Sequence, residues 1–454
     1  MKSGKLGVVV LAAGQGTRMR SAMPKVLHEV AGRPMLTHVL MVAESLSPER
    51  IVVVVGPDMP QVEAAAGTHA VVVQERQLGT GDAVAAASQA LSDIAAEGGD
   101  ILVLFGDTPL LREETLAALC DRRAREPEAS IVALAFRKSP PHAYGRIKLE
   151  PGGAIAAIVE ASDASPEEQQ IDLCNAGVLI AEGRVLLDLV GRLSSDNAQS
   201  EYYLTDIFAL ARGQGLKAAV QETLEAEVVG VNSRAELAVA ERLMQERLRH
   251  DAMMAGVTFV DPDTVHLAMD TRLGRDVVIE PHVVFAEGVE IGDGVRINAF
   301  SHLAGAKVDA GAQVGPYARL RPGARVGPRA RVGNFVEVKN ASLGAGAKAN
   351  HLTYLGDADV GEDANVGAGT ITCNYDGFNK HRTVIGAGAF IGSNTALVAP
   401  VNIGSGAVVG AGSTLTEDVE DDAVALSRAP QTNRSGAAVR LRERLSKLKQ
   451  TLKG

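Results

Sequence analysis

A glycine-rich loop close to the N-terminus is the first segment that could carry chemistry. A short apolar run leads into Gly14-Gln-Gly-Thr-Arg18-Met19, and Pro24-Lys25 follows. Glycines leave backbone N–H groups free to approach phosphate oxygens, and Arg18 and Lys25 add two positive charges. The loop lacks the Gly-Lys-Ser/Thr ending of a Walker motif, and Met19 stands where the dinucleotide fingerprint requires Gly. The spacing therefore predicts a phosphate-binding loop that is neither a Walker motif nor a dinucleotide-binding loop.

A carboxylate, Asp107, ends a later apolar run in Leu104-Phe-Gly-Asp107. A charged group directly after a buried strand does not suit a core, but it suits a bound metal ion. An aspartate that caps a turn is the structural alternative. Asn232, in Gly230-Val-Asn232, reads on its own only as the cap of the helix that follows it.

A third candidate segment, Asn350-His351-Leu-Thr-Tyr354, lies in the C-terminal half and is soon followed by a polar insertion over residues 369–380. A lone histidine is more often structural than catalytic. This one has basic residues nearby in sequence, at Arg319, Arg321 and Lys339. Because a neutral imidazole can accept a proton near pH 7, His351 is a candidate general base for acyl transfer to an amine.

The elements that must position this histidine follow a six-residue period. Apolar residues recur every six positions from Leu273 to Leu415, with three five-residue steps and a break between Val366 and Ile385. A helix would repeat near 3.6 and an alternating strand near 2, so neither fits. The period predicts a parallel β-helix of short strands, with apolar residues inside and stacked coils burying them. Glycines that follow the apolar residues are expected to let the backbone turn the corners.

The first part of the chain alternates short apolar runs with helical patterns. The apolar runs predict strands buried on both faces of a parallel α/β sheet, over residues 7–11, 51–55, 70–73, 101–105 and 131–135. Helices are predicted over residues 34–43, 81–91, 112–123 and 234–254. The last is amphipathic, links the two parts, and can be capped by Asn232 or Ser233. Ligands of such a sheet bind at the carboxyl ends of its strands.

The composition limits the choice of partners. Of 454 residues, 46% are hydrophobic and 22% charged, which predicts a globular protein of two or more domains. A net charge of −10, no Trp and 3% aromatics argue against nucleic-acid binding. Three scattered cysteines form neither a disulfide framework nor a zinc pattern, and they suit a reducing cytoplasm. The apolar stretch 8–13 is too short to span a membrane, so no membrane partner is expected.

The loop from Leu11 to Met19, with Pro-Lys downstream, resembles the signature of sugar-1-phosphate nucleotidyltransferases. Followed by a hexapeptide β-helix, the chain resembles the bacterial bifunctional N-acetylglucosamine-1-phosphate uridylyltransferase / glucosamine-1-phosphate N-acetyltransferase family over nearly its whole length. The resemblance implies an α/β Rossmann-like nucleotidyltransferase domain (1–232), a linker helix (233–254) and a left-handed parallel β-helix (255–454) that forms a homotrimer.

The resemblance also implies the reactions. The C-terminal domain would acetylate glucosamine-1-phosphate with acetyl-CoA. The N-terminal domain would then transfer uridylyl from UTP to the product with Mg²⁺, giving UDP-N-acetylglucosamine and pyrophosphate. This nucleotide sugar would supply peptidoglycan and lipopolysaccharide synthesis, and so cell-wall biogenesis and cell shape, from the cytoplasm.

Roles in the first domain carry over residue by residue. In the reaction that the resemblance implies, Arg18 is suited to the leaving pyrophosphate and Lys25 to the reacting phosphates, and Asp107 and Asn232 are the Mg²⁺ ligands. The nucleotide and sugar contacts form a wider set: Leu11, Gly14, Lys25, Gln74, Gly79, Thr80, Asp107, Gly145, Glu160, Asn175 and Asn232. One departure is that Ala176 follows Asn175 where we would expect Thr.

Roles in the β-helix carry over in the same way, with His351 as the catalytic base. The acetyl acceptor would be bound by Arg321, Lys339, Tyr354, Asn365 and Lys380. Acetyl-CoA would be bound by Asn374, Tyr375, Ser393, Ala411 and Arg428. Cys373 borders this set, but a thiol nucleophile is not required because direct attack by the amine suffices.

Two other interpretations compete with this one. A single-activity nucleotidyltransferase could use its β-helix only for regulation or oligomerisation, but the His351 segment and the polar insertion argue against it. A non-catalytic subunit would have lost its phosphate-binding charges, and Arg18, Lys25 and Asp107 are all present. The basic tail from residue 437 is either a short amphipathic helix or a solvated end, and the solvated end is favoured.

Overall fold

A computed structural model describes residues 5–452 of the chain, which divides into two compact units. The first contains Met1–Asp251 and Leu267–Met269, and the second contains Ala252–His266 and Asp270–Gly454. Most of the helix predicted as a linker therefore groups with the first unit. Within residues 5–452, the helices are all too short or too polar to cross a lipid bilayer.

A nine-stranded sheet forms the centre of the first unit, in the order β11-β7-β10-β6-β1-β4-β5, with β8 and β9 attached beside β10. A separate two-stranded sheet joins β2 and β3. The strands are β1 Leu6–Leu11, β2 Glu29–Val30, β3 Arg33–Pro34, β4 Arg50–Val55, β5 Ala70–Val73, β6 Asp100–Phe105, β7 Ala129–Arg137, β8 Arg146–Leu149, β9 Ile155–Val159, β10 Leu173–Glu182 and β11 Lys217–Glu222.

Helices cover both faces of this sheet, so that successive residues of β1 point into two different apolar clusters: Val9 into one and Val8 into the other. The helices are α1 Met35–Ser45, α2 Pro60–Ala65, α3 Thr80–Ala86, α4 Ser88–Ala96, α5 Glu113–Arg125, α6 Gly183–Val190, α7 Asp206–Gly213 and α8 Arg234–Met254. All five predicted strands and three of the four predicted helices are present, and the remaining one is divided in two, which confirms the α/β architecture.

Three details of that prediction are wrong. The sheet is mixed, because β10 runs antiparallel to both β6 and β7. Strand β5 lies at the sheet edge and is largely exposed, since no strand covers its outer side. The helix predicted over 81–91 is two helices, α3 and α4, that meet at Ala87.

Helix α8 begins with a reciprocal cap. The sequence had allowed either Asn232 or Ser233 as the capping residue. The Ser233 hydroxyl accepts the Glu236 N–H at 3.3 Å, and the Glu236 carboxylate accepts the Asn232 N–H at 2.7 Å. Ser233 is therefore the capping side chain, and Glu236 fixes the backbone of Asn232. The predicted apolar stripe of α8 packs through Ala240 and Met244 into a small buried cluster.

The second unit is a parallel β-helix whose strands stack into three faces. The first face contains Thr258–Phe259, Val278–Ile279, Arg296–Ile297, Gln313–Val314, Arg331–Asn334, Lys348–His351, Asn365–Val366, Phe390–Ile391, Val408–Val409 and Val424–Ala425. The second face contains Val284–Phe285, His302–Leu303, Arg319–Leu320, Glu337–Lys339, Tyr354–Gly356, Ile371–Cys373, Ala396–Val398 and Thr414–Leu415, and the short strand His266–Leu267 precedes it. The third face contains Arg272–Leu273, Glu290–Ile291, Lys307–Val308, Arg325–Val326, Ser342–Leu343, Ala358–Val360, Thr383–Ile385 and Val401–Ile403.

The predicted six-residue series points inward, as expected. From Ile279 to Leu415 its members are buried, and Leu273 in the first coil is half-buried. A second inward series, two positions earlier in each repeat, uses smaller residues such as Ala312 and Ala330, which are fully buried. Two inward side chains in each repeat therefore fill the prism, and the earlier one is valine in the first coils, as at Val277 and Val295, and often alanine farther along.

The glycines that follow the inward residues serve a different purpose from the one predicted. Among them only Gly315 has a positive φ. A Cβ at Gly327 would lie 2.7 Å from the carbonyl oxygen of Leu343, and one at Gly292 would lie 2.8 Å from the backbone nitrogen of Ala310. These positions require Gly because the next coil approaches too closely for a side chain, and other residues form the left-handed corners.

The break in the repeat is shorter than the sequence indicated. Thr372 continues the inward series with a polar side chain, whose hydroxyl oxygen accepts the Gly356 N–H at 2.8 Å. The true excursion covers residues 374–382 and is closed by a bridge between Tyr375 and Lys380.

Stacked rings cover one corner of the β-helix. We call His282, Phe300, Tyr317 and Phe335 the aromatic ladder. Their ring centroids are 4.8, 4.9 and 5.2 Å apart in succession, and all four residues have positive φ. Phe300, Tyr317 and Phe335 are about half exposed.

The basic tail forms a helix, α9 Ala437–Thr451, which has no buried residue. Both alternatives for this segment therefore apply, because it is helical and also surrounded by solvent.

Candidate active sites

Lys25 is at the centre of the site in the first unit. Gly16 adopts a left-handed conformation (φ 64°), and a Cβ there would lie 2.5 Å from the Cβ of Lys25, so the loop closes over the lysine stem. The Lys25 ammonium donates to the Asp107 carboxylate and, at 3.0 Å, to Oδ1 of Asn232. One positive group thus holds together two oxygens that are far apart in sequence.

Asp107 and Asn232 reach this point from different elements. Asp107 follows β6, at the carboxyl end of the sheet, and Asn232 directly precedes the cap of α8. The Val231 N–H donates to the Asp107 carbonyl oxygen at 3.0 Å, which joins the two segments. A carboxylate and an amide oxygen that converge on one cation are suitable ligands for Mg²⁺, with its other positions left for water and substrate phosphates.

A cavity of about 320 Å³ lies beside the loop. Eight of the predicted nucleotide-site residues line it: Leu11, Gly14, Lys25, Gln74, Gly79, Thr80, Asp107 and Asn232. Gln74 is held by its amide, which donates to Asp82 at 2.7 Å and to the Gly79 carbonyl at 3.0 Å. Gly79 has φ 110°, and a Cβ there would lie 2.7 Å from the Tyr202 carbonyl oxygen. The wall formed by residues 74–82 is therefore fixed in shape.

A second cavity of about 620 Å³ shares Thr80, Asp107 and Asn232 with the first. It brings in the remaining predicted residues of this domain: Arg18, Gly145, Glu160 and Asn175. Two adjoining cavities that meet at Asp107 and Asn232 can hold the two halves of a sugar nucleotide.

Glu160 is a buried acid in the wall of the larger cavity. Burial raises the pKa of Glu160, a hydrogen bond from Thr205 opposes that rise, and the charges of Asp206 and Asp163 add to it. The Thr205 hydroxyl donates to the Glu160 carboxylate at 3.0 Å and so fixes its orientation. The Asn175 N–H donates to the Gly145 carbonyl at 2.9 Å, which aligns these two predicted residues.

His351 ends a first-face strand of the β-helix, at the corner that leads to the second face. Its side chain is exposed, as the repeat phase predicted. Nδ1 of His351 lies 2.6 Å from Oδ1 of Asn334, one coil below. The second face follows, with Tyr354 in register between Glu337 and Ile371.

Three predicted cations meet at the far edge of the second face. Lys380 lies close enough to Lys339 to lower the pKa of Lys339, and Arg321 acts in the same direction. Arg321 is partly neutralised by Glu337 at 2.9 Å. A cluster in which lysines repel one another is suited to bind an anion such as a phosphate.

The polar excursion contains Asn374 and Tyr375, both predicted to contact acetyl-CoA. The Asn374 amide is buried and donates to the Asp357 carboxylate, which also accepts from Asn340 at 2.6 Å. Burial raises the pKa of Asp357, but the hydrogen bonds from Asn340 and Asn374, with the charges of Lys380 and Lys339, outweigh it and lower the pKa. Tyr375 is exposed, and its hydroxyl donates to the Gly377 carbonyl at 2.5 Å.

The other predicted acetyl-CoA residues form a row along the axis of the β-helix. Ser393 and Ala411 each follow a first-face strand, one coil apart, and the Gly412 N–H donates to the Ser393 carbonyl at 2.8 Å. The Arg428 guanidinium donates to the Ala411 carbonyl at 2.7 Å. Asn365 lies on the first face, between Lys348 and Phe390. Within one chain the row is thus separated from the cation cluster by the second face.

Comparison with known proteins finds matches in both units. A MobA-like NTP transferase domain matches residues 8–170, and bacterial transferase hexapeptide repeats match residues 270–305 and 382–417. Several relatives that match nearly the whole chain have the name Bifunctional protein GlmU, and three of them show the degree of similarity. The one from Paramagnetospirillum magneticum is 53% identical over 442 residues (97% of this chain and 98% of its own), that from Bradyrhizobium sp. is 54% identical over 447 residues (98% of each), and that from Rhodospirillum rubrum is 54% identical over 444 residues (98% and 99%).

The chain belongs to the bifunctional GlmU family.

GlmU membership confirms the predicted bifunctional enzyme, with a uridylyltransferase and an acetyltransferase, and the predicted synthesis of UDP-N-acetylglucosamine. It disfavours the single-activity alternative. The hexapeptide match and the three stacked parallel faces agree with the predicted left-handed β-helix.

Sequence reasoning missed the residues of this GlmU chain that hold the predicted ones in place. Asn334, Thr205, Asp82 and Glu236 each contact a candidate residue through a hydrogen bond. Two of them had a usable signal: Asn334 lies 17 residues before His351, which is one coil of the β-helix, and Glu236 completes a Ser-x-x-Glu capping pattern with Ser233.

Proposed function

We propose that the two clusters are the active sites of two successive transfers. In the β-helix, glucosamine-1-phosphate is acetylated by acetyl-CoA. In the first unit, the resulting N-acetylglucosamine-1-phosphate attacks UTP, which gives UDP-N-acetylglucosamine and pyrophosphate. The observation that carries this proposal is that each compact unit has its own cluster of charged groups, one suited to phosphates and the other to an amine beside a phosphate.

Uridylyl transfer needs no general base, because the attacking phosphate is already ionised. The task of the first unit is therefore to align the reactants and to neutralise charge. Arg18, in the wall of the larger cavity, binds the leaving pyrophosphate. Lys25, in the wall of the smaller cavity, binds the reacting phosphates. Asp107 and Asn232 would hold Mg²⁺, which supplies further charge neutralisation when bound.

Acetyl transfer needs a base that removes a proton from the ammonium group as the amine attacks the thioester. His351 is that base. The substrate phosphate lies at Arg321, Lys339 and Lys380, and the sugar lies over the second face beside Tyr354. This placement brings the amine to the His351 corner, because the second-face strands are only three residues long here.

Assembly and location are also part of the proposal. A homotrimer is supported by the half-exposed aromatic ladder, whose top rung, Phe335, follows Asn334 directly. A second copy on this corner would cover apolar surface and would enclose the His351 site. The enzyme works in the cytoplasm and supplies UDP-N-acetylglucosamine for peptidoglycan and lipopolysaccharide.

Two substitutions test whether the active sites are separate. His351→Ala should abolish CoA release from acetyl-CoA and glucosamine-1-phosphate, and leave UDP-sugar formation from N-acetylglucosamine-1-phosphate intact. Lys25→Ala should do the reverse. The exposed residues His302 and Lys5 provide the matched alanine controls, which should retain both activities. Loss of both activities in both test variants, or no CoA release by the wild type, would refute the proposal.

Removal of metal gives a second test. Treatment with EDTA should stop uridylyl transfer, leave acetyl transfer unchanged, and be reversed by added Mg²⁺. Asp107→Asn should raise the Mg²⁺ concentration needed for half-maximal uridylyl transfer by on the order of tenfold or more, because one charged ligand is lost. Equal Mg²⁺ dependence of the variant and the wild type would exclude Asp107 as a ligand.

A further inference from the structure

The contact between His351 and Asn334 determines which nitrogen of the imidazole can act. A neutral imidazole has one N–H donor and one acceptor nitrogen. Oδ1 of Asn334 is an acceptor and lies 2.6 Å from Nδ1 of His351, so Nδ1 carries the proton. The lone pair is then on Nε2, the nitrogen of an exposed ring that is not held by this contact.

The β-helix fixes both partners of this contact. Asn334 and His351 are register partners on adjacent first-face strands, and the Leu352 N–H donates to the Asn334 carbonyl at 3.0 Å. Phe335 and Leu352, the next residues, both have positive φ, and Phe335 stacks on Tyr317. Asn334 and His351 therefore occupy equivalent positions, directly before the same corner, in consecutive coils.

We propose that Asn334 is a positioning residue for acetyl transfer, which holds His351 in the Nδ1–H tautomer and orients Nε2 toward the substrate ammonium group. This inference rests on the proposed function of His351 as the base. An amide suits the role because it selects the tautomer without adding a charge. A carboxylate in its place would stabilise the imidazolium and would leave less neutral base at a given pH.

The charged groups on the elements around this corner are Arg331 and Lys348 on the first face and Glu337 and Lys339 on the second. Within residues 5–452 none of them forms an ion pair with His351. A new carboxylate at position 334 would therefore be the dominant change in the electrostatics of the ring.

Three variants of the full chain test the proposal. Asn334→Ala removes the acceptor, and kcat for acetyl transfer should fall on the order of 10- to 100-fold with little change in KM. Asn334→Asp keeps an acceptor, so it should recover activity at high pH, with the acidic limb of kcat/KM shifted to higher pH. Asn298→Ala is the matched control, because Asn298 directly follows a first-face strand and its amide donates to the Gly315 carbonyl at 3.0 Å, away from His351.

A spectroscopic measurement reads the tautomer directly. Nitrogen-15 spectra of labelled histidine, assigned with His351→Ala, should show Nδ1–H for His351 in the wild type and a mixture of tautomers in Asn334→Ala. The proposal is overturned if kcat of Asn334→Ala equals that of the wild type, if Asn298→Ala loses as much acetyl transfer, or if the acidic limb of Asn334→Asp does not move. Failure of the proposed function is a different result, namely full acetyl transfer in His351→Ala. Uridylyl transfer measured on the same samples shows that the first unit of each variant is folded, and circular dichroism that matches the wild type shows that the β-helix is retained.

Discussion

Lys339 and Lys380 place two ammonium groups against each other at the edge of the second face. The closeness of Lys380 lowers the pKa of Lys339 below its ordinary 10.5, desolvation and Arg321 add to this effect, and Asp357 partly offsets it. For a lysine, a lowered pKa means that the charge is lost at a lower pH. The ammonium groups of Lys339 and Lys380 therefore repel each other, and a bound anion such as a phosphate would reduce this repulsion.

This repulsion predicts how acceptor binding depends on pH. The KM for glucosamine-1-phosphate should rise as Lys339 deprotonates, at a pH below 10.5. In Lys380→Met the rise should move to higher pH, because the pKa of Lys339 returns toward its ordinary value, while KM at neutral pH increases through the lost contact. Lys307→Met, on the third face, is the control. An alkaline limb at the same pH in Lys380→Met and the wild type would contradict this account.

Sequence could nominate single residues where their type and spacing suggest a chemistry, as with Arg18, Lys25, Asp107 and His351, and their roles stay predictions. Their supporting residues could not be predicted. Thr205 fixes Glu160 across 45 residues, and Asp82 anchors Gln74 from the first turn of a helix. Neither has a motif of its own, because a hydrogen bond between distant segments leaves no periodic trace in the sequence.

At the scale of elements, Thr372, a polar residue in the inward series, allows a test of how much a buried hydrogen bond stabilises the β-helix. The hydroxyl oxygen of Thr372 accepts the Gly356 N–H at 2.8 Å and donates within the same coil pair, to the Gly356 carbonyl at 3.1 Å. Thr370, two positions earlier, is equally buried, but its hydroxyl has no hydrogen-bond partner among the described residues.

Thr372→Val should therefore destabilise the protein by about 1–3 kcal/mol, because it leaves the Gly356 N–H unpaired in the core. Thr370→Val removes a hydroxyl that bonds nothing, so it should be neutral or slightly stabilising. The free energy of unfolding from urea titration followed by circular dichroism measures both. Equal losses in the two variants would show that packing, and not the hydrogen bond, determines the cost.

Elements followed from sequence wherever a period was present. The six-residue series located most coils of the β-helix, except the strand at Thr372 and the strands at the two ends, and the apolar runs located the central strands of the first unit. An apolar pattern does not show in which direction a strand runs. The antiparallel orientation of β10 in the sheet was therefore not predicted. The pattern also could not show why a position requires glycine. A left-handed corner and a close approach of the next coil, such as that of Leu343 to Gly327, both select the same residue.

At the scale of the molecule, the aromatic ladder predicts how copies assemble. If three copies pack on this corner, Phe300→Asp and Phe335→Asp should each raise the dissociation constant at least about tenfold, because a charge replaces a buried ring. Sedimentation velocity measures the change, and acetyl transfer should fall with the assembled fraction while uridylyl transfer is kept. Leu224→Asp, an exposed apolar residue of the first unit, is the control. A wild-type monomer, or unchanged assembly in both ladder variants, would rule out this interface.

The coils of the second unit have a consequence for how its dimensions can change. Most coils take 17 or 18 residues, whereas the coil that contains the excursion takes 25, and each coil advances the chain by one strand spacing, about 4.8 Å. Ser393, Ala411 and Arg428 are spaced by one coil each, so this row is measured along the axis in whole coils. Duplication or loss of one coil would lengthen or shorten the row by that fixed step and leave every side chain on its original face. The number of coils therefore sets the length of this row without moving any of its side chains to another face.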